Sequence, residues 1–211
     1  MNSAGGSAKD ARNRRTQAVL GLRGKILNVF KANEKQIHAN TEIETMIRAF
    51  GTGIGEDFNL EKLRYNKIII AADADVDGEH IVTLFLTFMY KFMPELIKTG
   101  HVYLAKPPLY KLTRNKKDYY VYTENELTAL RKKLGHSSRD SLQRYKGLGE
   151  MDADQLWETT MDPDTRTLTR VEYDETFVNV TEELFETLMG EKVEPRRAYI
   201  ENNAEFATID L

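Results

Sequence analysis

Asp73, Asp75 and Asp77 alternate directly after the apolar run Ile68-Ile69-Ile70-Ala71-Ala72, and Gly78 and Glu79 follow them. Carboxylates at spacing two, released together from the end of a buried strand, repel one another. Two unit charges roughly 4 Å apart cost about 4 kcal/mol at an effective dielectric of about 20. A divalent cation relieves that repulsion. Hard oxygen ligands, no cysteine and only 4 histidines in the chain favour Mg²⁺, with Mn²⁺ or Ca²⁺ as substitutes.

Other readings of the same residues compete. Asp-x-Asp-x-Asp-Gly also opens a calcium EF-hand loop, but the twelfth position counted from Asp73 is Leu84, where a bidentate Glu belongs. The segment before it is also strand-like, whereas an EF-hand needs a helix there. A strand ending in Asp-x-Asp is also the start of a haloacid-dehalogenase-type phosphatase site, with a Thr or Val usual after Asp-Gly; here a third Asp intervenes. The plainest alternative is a solvated acidic turn that caps a helix, and spacing alone leaves it open.

The elements needed to position these carboxylates are legible around them. Ile68 to Ala72 is a continuous β-prone run, which suits a strand covered on both faces in a mostly parallel sheet. Ligands of open α/β sheets sit beyond the carboxyl ends of strands, where these oxygens emerge. Glu79 opens a helix whose apolar stretch, Ile81 to Met93, ends at Pro94, and His101 to Ala105 reads as the next strand. Strand, helix and strand form a right-handed crossover. Upstream, Thr41 can cap a helix with Glu44 at the capping-box position and Ile43, Met46, Ile47 and Phe50 on one face.

Downstream, Asn115-Lys116-Lys117-Asp118 reads as a hairpin turn, and a domain boundary is expected near residue 113. That gives a first domain of residues 1–113 and a smaller α+β tail domain of residues 114–211. Within the tail, Glu124 to Leu134 is expected as a helix and Arg166 to Tyr173 as a strand. Asp152 caps a helix carrying Leu156 and Trp157, and Thr181 to Met189 and Arg196 to Phe206 are the last helices.

Charge is distributed unevenly although the net formal charge of the 211 residues is only -3. The first 35 residues carry Lys9, Arg12, Arg14, Arg15, Arg23, Lys25, Lys31 and Lys35 against Asp10 and Glu34. A basic stripe leading to an acidic metal corner suits a polyanion held while one of its phosphates reacts. Ser3 to Ala8, small and glycine-rich, reads as a loop before a basic helix from Lys9 to Arg15, a phosphate-approach geometry that linkers share. Arg23 and Lys25 flank Gly24, which lets a backbone come close. Arg144, Lys146, Tyr145, Gly147 and Gly149 combine charge, an aromatic ring and flexibility in a second phosphate-facing stretch. None of the 10 tyrosines has an adjacent base that would mark a nucleophile. No run approaches a membrane span, no signal peptide is evident, and the absence of cysteine agrees with a cytoplasmic location.

Five stretches in fixed order carry a specific resemblance: Ser-Ala-Gly-Gly-Ser-Ala (3–8), Leu-Arg-Gly-Lys-Ile-Leu-Asn (22–28), Asp-Ala-Asp-Val-Asp-Gly (73–78), Pro-Pro-Leu-Tyr-Lys (107–111) and Tyr-Lys-Gly-Leu-Gly-Glu-Met (145–151). Together they resemble the C-terminal half of the B subunits of type IIA topoisomerases, DNA gyrase and topoisomerase IV. The resemblance implies a TOPRIM domain, an α/β sheet flanked by helices, followed by a tail domain. It implies Asp73 and Asp75 as Mg²⁺ ligands, with Asp77 a ligand or a carboxylate just behind them. Arg23 and Lys25 would lie along the DNA backbone, with Lys146 a further DNA contact.

The implied activity is reversible double-strand cleavage and religation by a tyrosine on a partner A subunit, in a heterotetramer of two A and two B subunits. ATP would enter only through an N-terminal region that nothing here matches. Some positions depart from the family. The family motif Glu-Gly-Asp-Ser-Ala-Gly-Gly begins with an essential metal-binding Glu, whereas this chain starts Met1-Asn2, so that Glu and the first sheet strand are expected to be missing. Gly21 replaces a usual Pro and Phe30 a usual Glu. The chain reads as a fragment or split product that is inactive alone; the alternative is a non-catalytic scaffold binding DNA or the A subunit through an incomplete metal site.

Overall fold

In a computed structural model, which describes residues 3–135, 137 and 139–206, the elements follow one another as α1 (Ser3–Ala11), α2 (Glu34–Ala39), α3 (Thr41–Phe50), β1 (Ile68–Ile70), α4 (Val76–Phe92), α5 (Pro94–Lys98) and β2 (Val102–Ala105). The order continues with β3 (Tyr110–Arg114), β4 (Lys117–Val121), α6 (Glu124–Leu134), β5 (Ser141–Arg144), α7 (Ala153–Leu156), β6 (Leu168–Arg170), α8 (Val178–Met189) and α9 (Val193–Asn202). The fold is mixed α/β, with two small sheets among the described residues, as the sequence class required. One sheet has the order β1-β2-β6, the other β4-β3-β5. The expectation of a mostly parallel sheet does not extend to β6, which pairs antiparallel with β2, nor to the second sheet, where β3 is antiparallel to both neighbours.

Two compact units interleave along the chain. The first comprises residues 1–23, 69–79 and 103–170, the second residues 24–68, 80–102 and 171–211. A cut near residue 113 would fall inside β3. Tyr110 to Arg114 pair with Lys117 to Val121 through a two-residue turn, and Tyr110 to Thr113 also pair with Ser141 to Arg144, so hydrogen bonds tie both sides of that cut together. Asn115 and Lys116 have φ of 52° and 63°, the left-handed pair that a tight hairpin demands.

Among the described residues of the first unit, apolar side chains gather in two clusters. Tyr110, Leu112, Val121 and Leu127 bury one face of β3 and β4 under α6. Thr123 caps that helix, its hydroxyl accepting from the Glu126 N–H at 3.1 Å. At the other end Arg114 donates to the carbonyls of Leu134 (2.5 Å) and Gly135 (2.6 Å) and pairs with Asp140. The second cluster, Tyr145, Leu148, Met151 and Leu156, is covered by Ala4, Ala8 and Ala11 of α1. This explains a departure from expectation: the glycine-rich start is helical, and the helix ends before the arginines. Ala4, Ala8 and Ala11 recur at helical spacing on one small-residue face, and packing of that face outweighs the roughly 1 kcal/mol that each helical glycine costs.

The second unit is built on α4. Leu84, Phe85, Phe88 and Met89 are buried, as are Ile43, Met46 and Phe50 of α3, with Phe50 edge-on to Phe85 at 6.4 Å between centroids. Asn40, not Thr41, caps α3, its side chain accepting from the Ile43 N–H at 3.0 Å. Pro94 takes the first turn of α5, where its missing N–H costs nothing. Phe30, where the resembled family has Glu, stacks on Phe185 (6.0 Å) with the Lys91 ammonium 5.1 Å from its ring, so the aromatic replacement is packed and cation-paired. Among the described residues no helix is long and apolar enough to cross a membrane.

Candidate functional site

The acidic turn is set by two devices. Asp75 caps α4: its Oδ1 accepts the Gly78 N–H at 2.7 Å while its carbonyl accepts the Glu79 N–H at 3.0 Å. A carboxylate at this position satisfies an orphan helix donor and meets the positive end of the dipole. Gly78 matters because a Cβ there would stand 2.0 Å from the Asp73 carbonyl oxygen, so the turn closes only over a residue with no side chain. Asp73, Asp75 and Asp77 are all exposed, Asp77 in the first turn of α4.

The carboxylate of Asp73 is held from a distant part of the same unit. Its Oδ1 accepts the Leu148 N–H at 2.8 Å, between residues 75 apart in sequence. A Cβ at Gly147 would lie 2.8 Å from its Cγ and 2.9 Å from both oxygens. The segment making these contacts is itself anchored. Tyr145 donates its N–H to the Leu109 carbonyl (2.9 Å), the Lys146 N–H donates to Glu150 Oε2 (3.0 Å), and Leu148 is buried in the cluster under α1. A small recess lies here, lined by Asp73, Ala74, Pro107, Pro108, Leu109, Tyr145, Lys146, Gly147, Leu148 and Met151. Two of the stretches singled out in sequence, 73–78 and 145–151, therefore meet at one carboxylate.

Among the described residues no three Asp, Glu or His side chains are gathered into a ready metal cage. The donors nevertheless fit a partly hydrated cation. Asp73 and Asp75 are exposed, each commits one oxygen to a backbone N–H, and each has a second oxygen with no hydrogen bond or ion pair to another described residue. Mg²⁺ keeps several waters and is commonly bound through one or two carboxylates.

The basic candidates divide between the units. Arg23 and Lys146 are in the first and Lys25 is in the second, and all three side chains are exposed. Gly24 between Arg23 and Lys25 has φ of 100°, a conformation that favours glycine, so the chain turns sharply between them. Lys146 borders the same recess as Asp73. Asn2 lies outside the described residues. Sequence reasoning missed the pairing of Asp73 with Gly147 and Leu148: both stretches stood out, but no local pattern links residues so far apart.

Residues 1–107 match the model of the Toprim domain, and residues 137–201 match that of the carboxyl terminus of the DNA gyrase B subunit. The chain belongs to the Toprim domain family, and it carries the gyrase-B-type carboxyl-terminal region behind that domain, as the sequence resemblance implied. Over 210 residues, 100% of this chain, it is 53% identical to the DNA gyrase B subunit of Treponema denticola and 57% identical to that of Staphylococcus aureus. It spans about a third of the length of these curated relatives, 33% and 32% respectively.

Proposed function

We propose that this chain supplies the Mg²⁺- and DNA-binding part of an ATP-dependent type IIA topoisomerase, which assists reversible double-strand cleavage and religation by a tyrosine on a partner A subunit. The observation that carries the reading is the hydrogen bond from Leu148 to Asp73: it joins the acidic turn of the Toprim region to the conspicuous 145–151 stretch of the gyrase-B-type region. Asp73 and Asp75 are the proposed cation ligands, with Asp77 alongside. When bound, Mg²⁺ would supply Lewis-acid stabilisation of a phosphate and of the departing 3′ oxygen. Arg23 and Lys146 in the first unit, and Lys25 in the second, would each neutralise a phosphate of the DNA backbone. Since the broken strand is rejoined, the reaction is transesterification, and these contacts must hold the DNA throughout.

A second reading follows from the lack of a three-carboxylate cluster among the described residues. On that reading the chain binds DNA or the A subunit as a scaffold without metal chemistry. The two separate in a supercoiling or decatenation assay of the full-length protein with its A partner, ATP and Mg²⁺. Asp73→Ala and Asp75→Ala should abolish turnover while DNA binding persists. Undiminished turnover in both variants would remove these carboxylates from the mechanism and leave the scaffold.

A further inference from the structure

Gly147 has φ of −164° and ψ of 164°, extended backbone open to any residue. Conformational freedom therefore does not account for a glycine here. What does is the space its missing side chain leaves: the Asp73 carboxylate packs too close to admit a Cβ, with its Cγ 2.8 Å and both oxygens 2.9 Å from where that atom would be. The next residue donates a hydrogen bond to that carboxylate, from the Leu148 N–H at 2.8 Å. Gly78 meanwhile presses on the backbone of the same residue, since a Cβ there would fall 2.0 Å from its carbonyl oxygen. Asp73 is thus gripped twice, at the main chain by its own turn and at the carboxylate by residues 74 and 75 positions away.

We propose that Gly147 and the Leu148 amide are positioning elements for Asp73: they hold one carboxylate oxygen and orient the group so that the acidic turn can bind a divalent cation. This rests on the reading of Asp73 as a cation ligand. Partners that orient ligating carboxylates govern affinity as the ligands do, and their loss typically weakens metal binding about 10- to 100-fold. An added methyl at residue 147 would push the Asp73 carboxylate aside and break its bond to Leu148, while leaving the backbone in an allowed conformation.

The test is Mn²⁺ titration of the 211-residue chain, wild type, Gly147→Ala and Asp73→Asn, followed by electron paramagnetic resonance or calorimetry, with melting curves recorded in metal-free buffer. Gly147→Ala should bind Mn²⁺ about 10- to 100-fold more weakly, and Asp73→Asn should lose the site. If Asp73→Asn loses binding but Gly147→Ala binds as tightly as wild type or tighter, the positioning role is overturned and the cation site stands. If Asp73→Asn binds like wild type, or wild type binds no Mn²⁺, the cation reading fails and the inference with it. A second measurement serves should Gly147→Ala not fold: in the wild-type chain the Leu148 amide resonance should move in step with Mg²⁺ occupancy. A Leu148 signal that stays fixed while Asp73 responds would equally overturn the proposal.

Discussion

The Asp75 carboxylate accepts the Gly78 N–H at 2.7 Å, so one side chain both starts α4 and stands in the acidic turn. The two duties separate by chemistry, because Asn caps a helix about as well as Asp but carries no charge. Asp75→Asn should keep the stability of the chain within about 0.5 kcal/mol, and Asp75→Ala should lose about 1 kcal/mol. Both should weaken Mn²⁺ binding alike. Denaturant melts beside metal titrations measure this, and an Asn variant that binds Mn²⁺ normally would show that Asp75 is only a cap.

Gly78→Ala pits two effects of opposite sign against each other. Alanine is favoured over glycine inside a helix by about 1 kcal/mol. The new methyl would meet the Asp73 carbonyl oxygen at 2.0 Å, a backbone atom with no rotamer to escape into. Overpacking of this kind costs about 1–3 kcal/mol, so the clash should win. Urea unfolding should therefore show a net loss, and a gain would mean that the turn is looser than its geometry.

Lys146 and Lys25 are proposed to contact phosphate. Each replacement by Ala should weaken binding to duplexes of unrelated sequence alike and reduce the slope of log affinity against log salt by about 1. Fluorescence anisotropy across a salt series gives that slope. An unchanged slope for either variant would take that lysine off the DNA.

Tyr145 is 4% exposed, and its hydroxyl has no hydrogen-bond partner among the described residues. An unsatisfied buried hydroxyl costs about 1–3 kcal/mol, so Tyr145→Phe should be neutral or stabilising, by about 1 kcal/mol. Burial raises the Tyr145 phenol well above its ordinary value of 10.0 and raises Tyr120 to about 12. A phenol whose pKa is raised by folding keeps its proton in the native state after the unfolded chain has lost it. Stability is therefore unaffected below about pH 10 and falls as pH climbs toward and past 12. Tyr145→Phe should make that alkaline loss shallower, as thermal melts between about pH 9 and 12 can record.

Much of the architecture was written in local pattern. The strand at Ile68, the long helix stopped before Pro94, the hairpin at Asn115 and Lys116, the helix from Glu124 to Leu134 and the cap at Asp152 each follow from residues within a few positions of one another. The glycine-rich start did not read correctly, because its helix depends on Ala4, Ala8 and Ala11 burying a cluster more than a hundred residues away. Trp157 to Met161 likewise forms a π-helical turn that Asp152 and the apolar spacing do not announce.

The candidate site divides in the same way. Residue type and spacing alone determined that three carboxylates follow a strand closely with glycine behind them, and that basic, glycine-containing stretches accompany them, while the structure put Asp77 and Gly78 in the first turn of α4. Only the tertiary structure decided that the Asp73 carboxylate rests in the space left by Gly147 and takes the Leu148 N–H, because close approach between residues 75 apart is set by packing and not by sequence neighbours. Alternation and capping act over a few residues, where the chain's own geometry carries the information. A missing Cβ has meaning only once the fold has brought another group into its place.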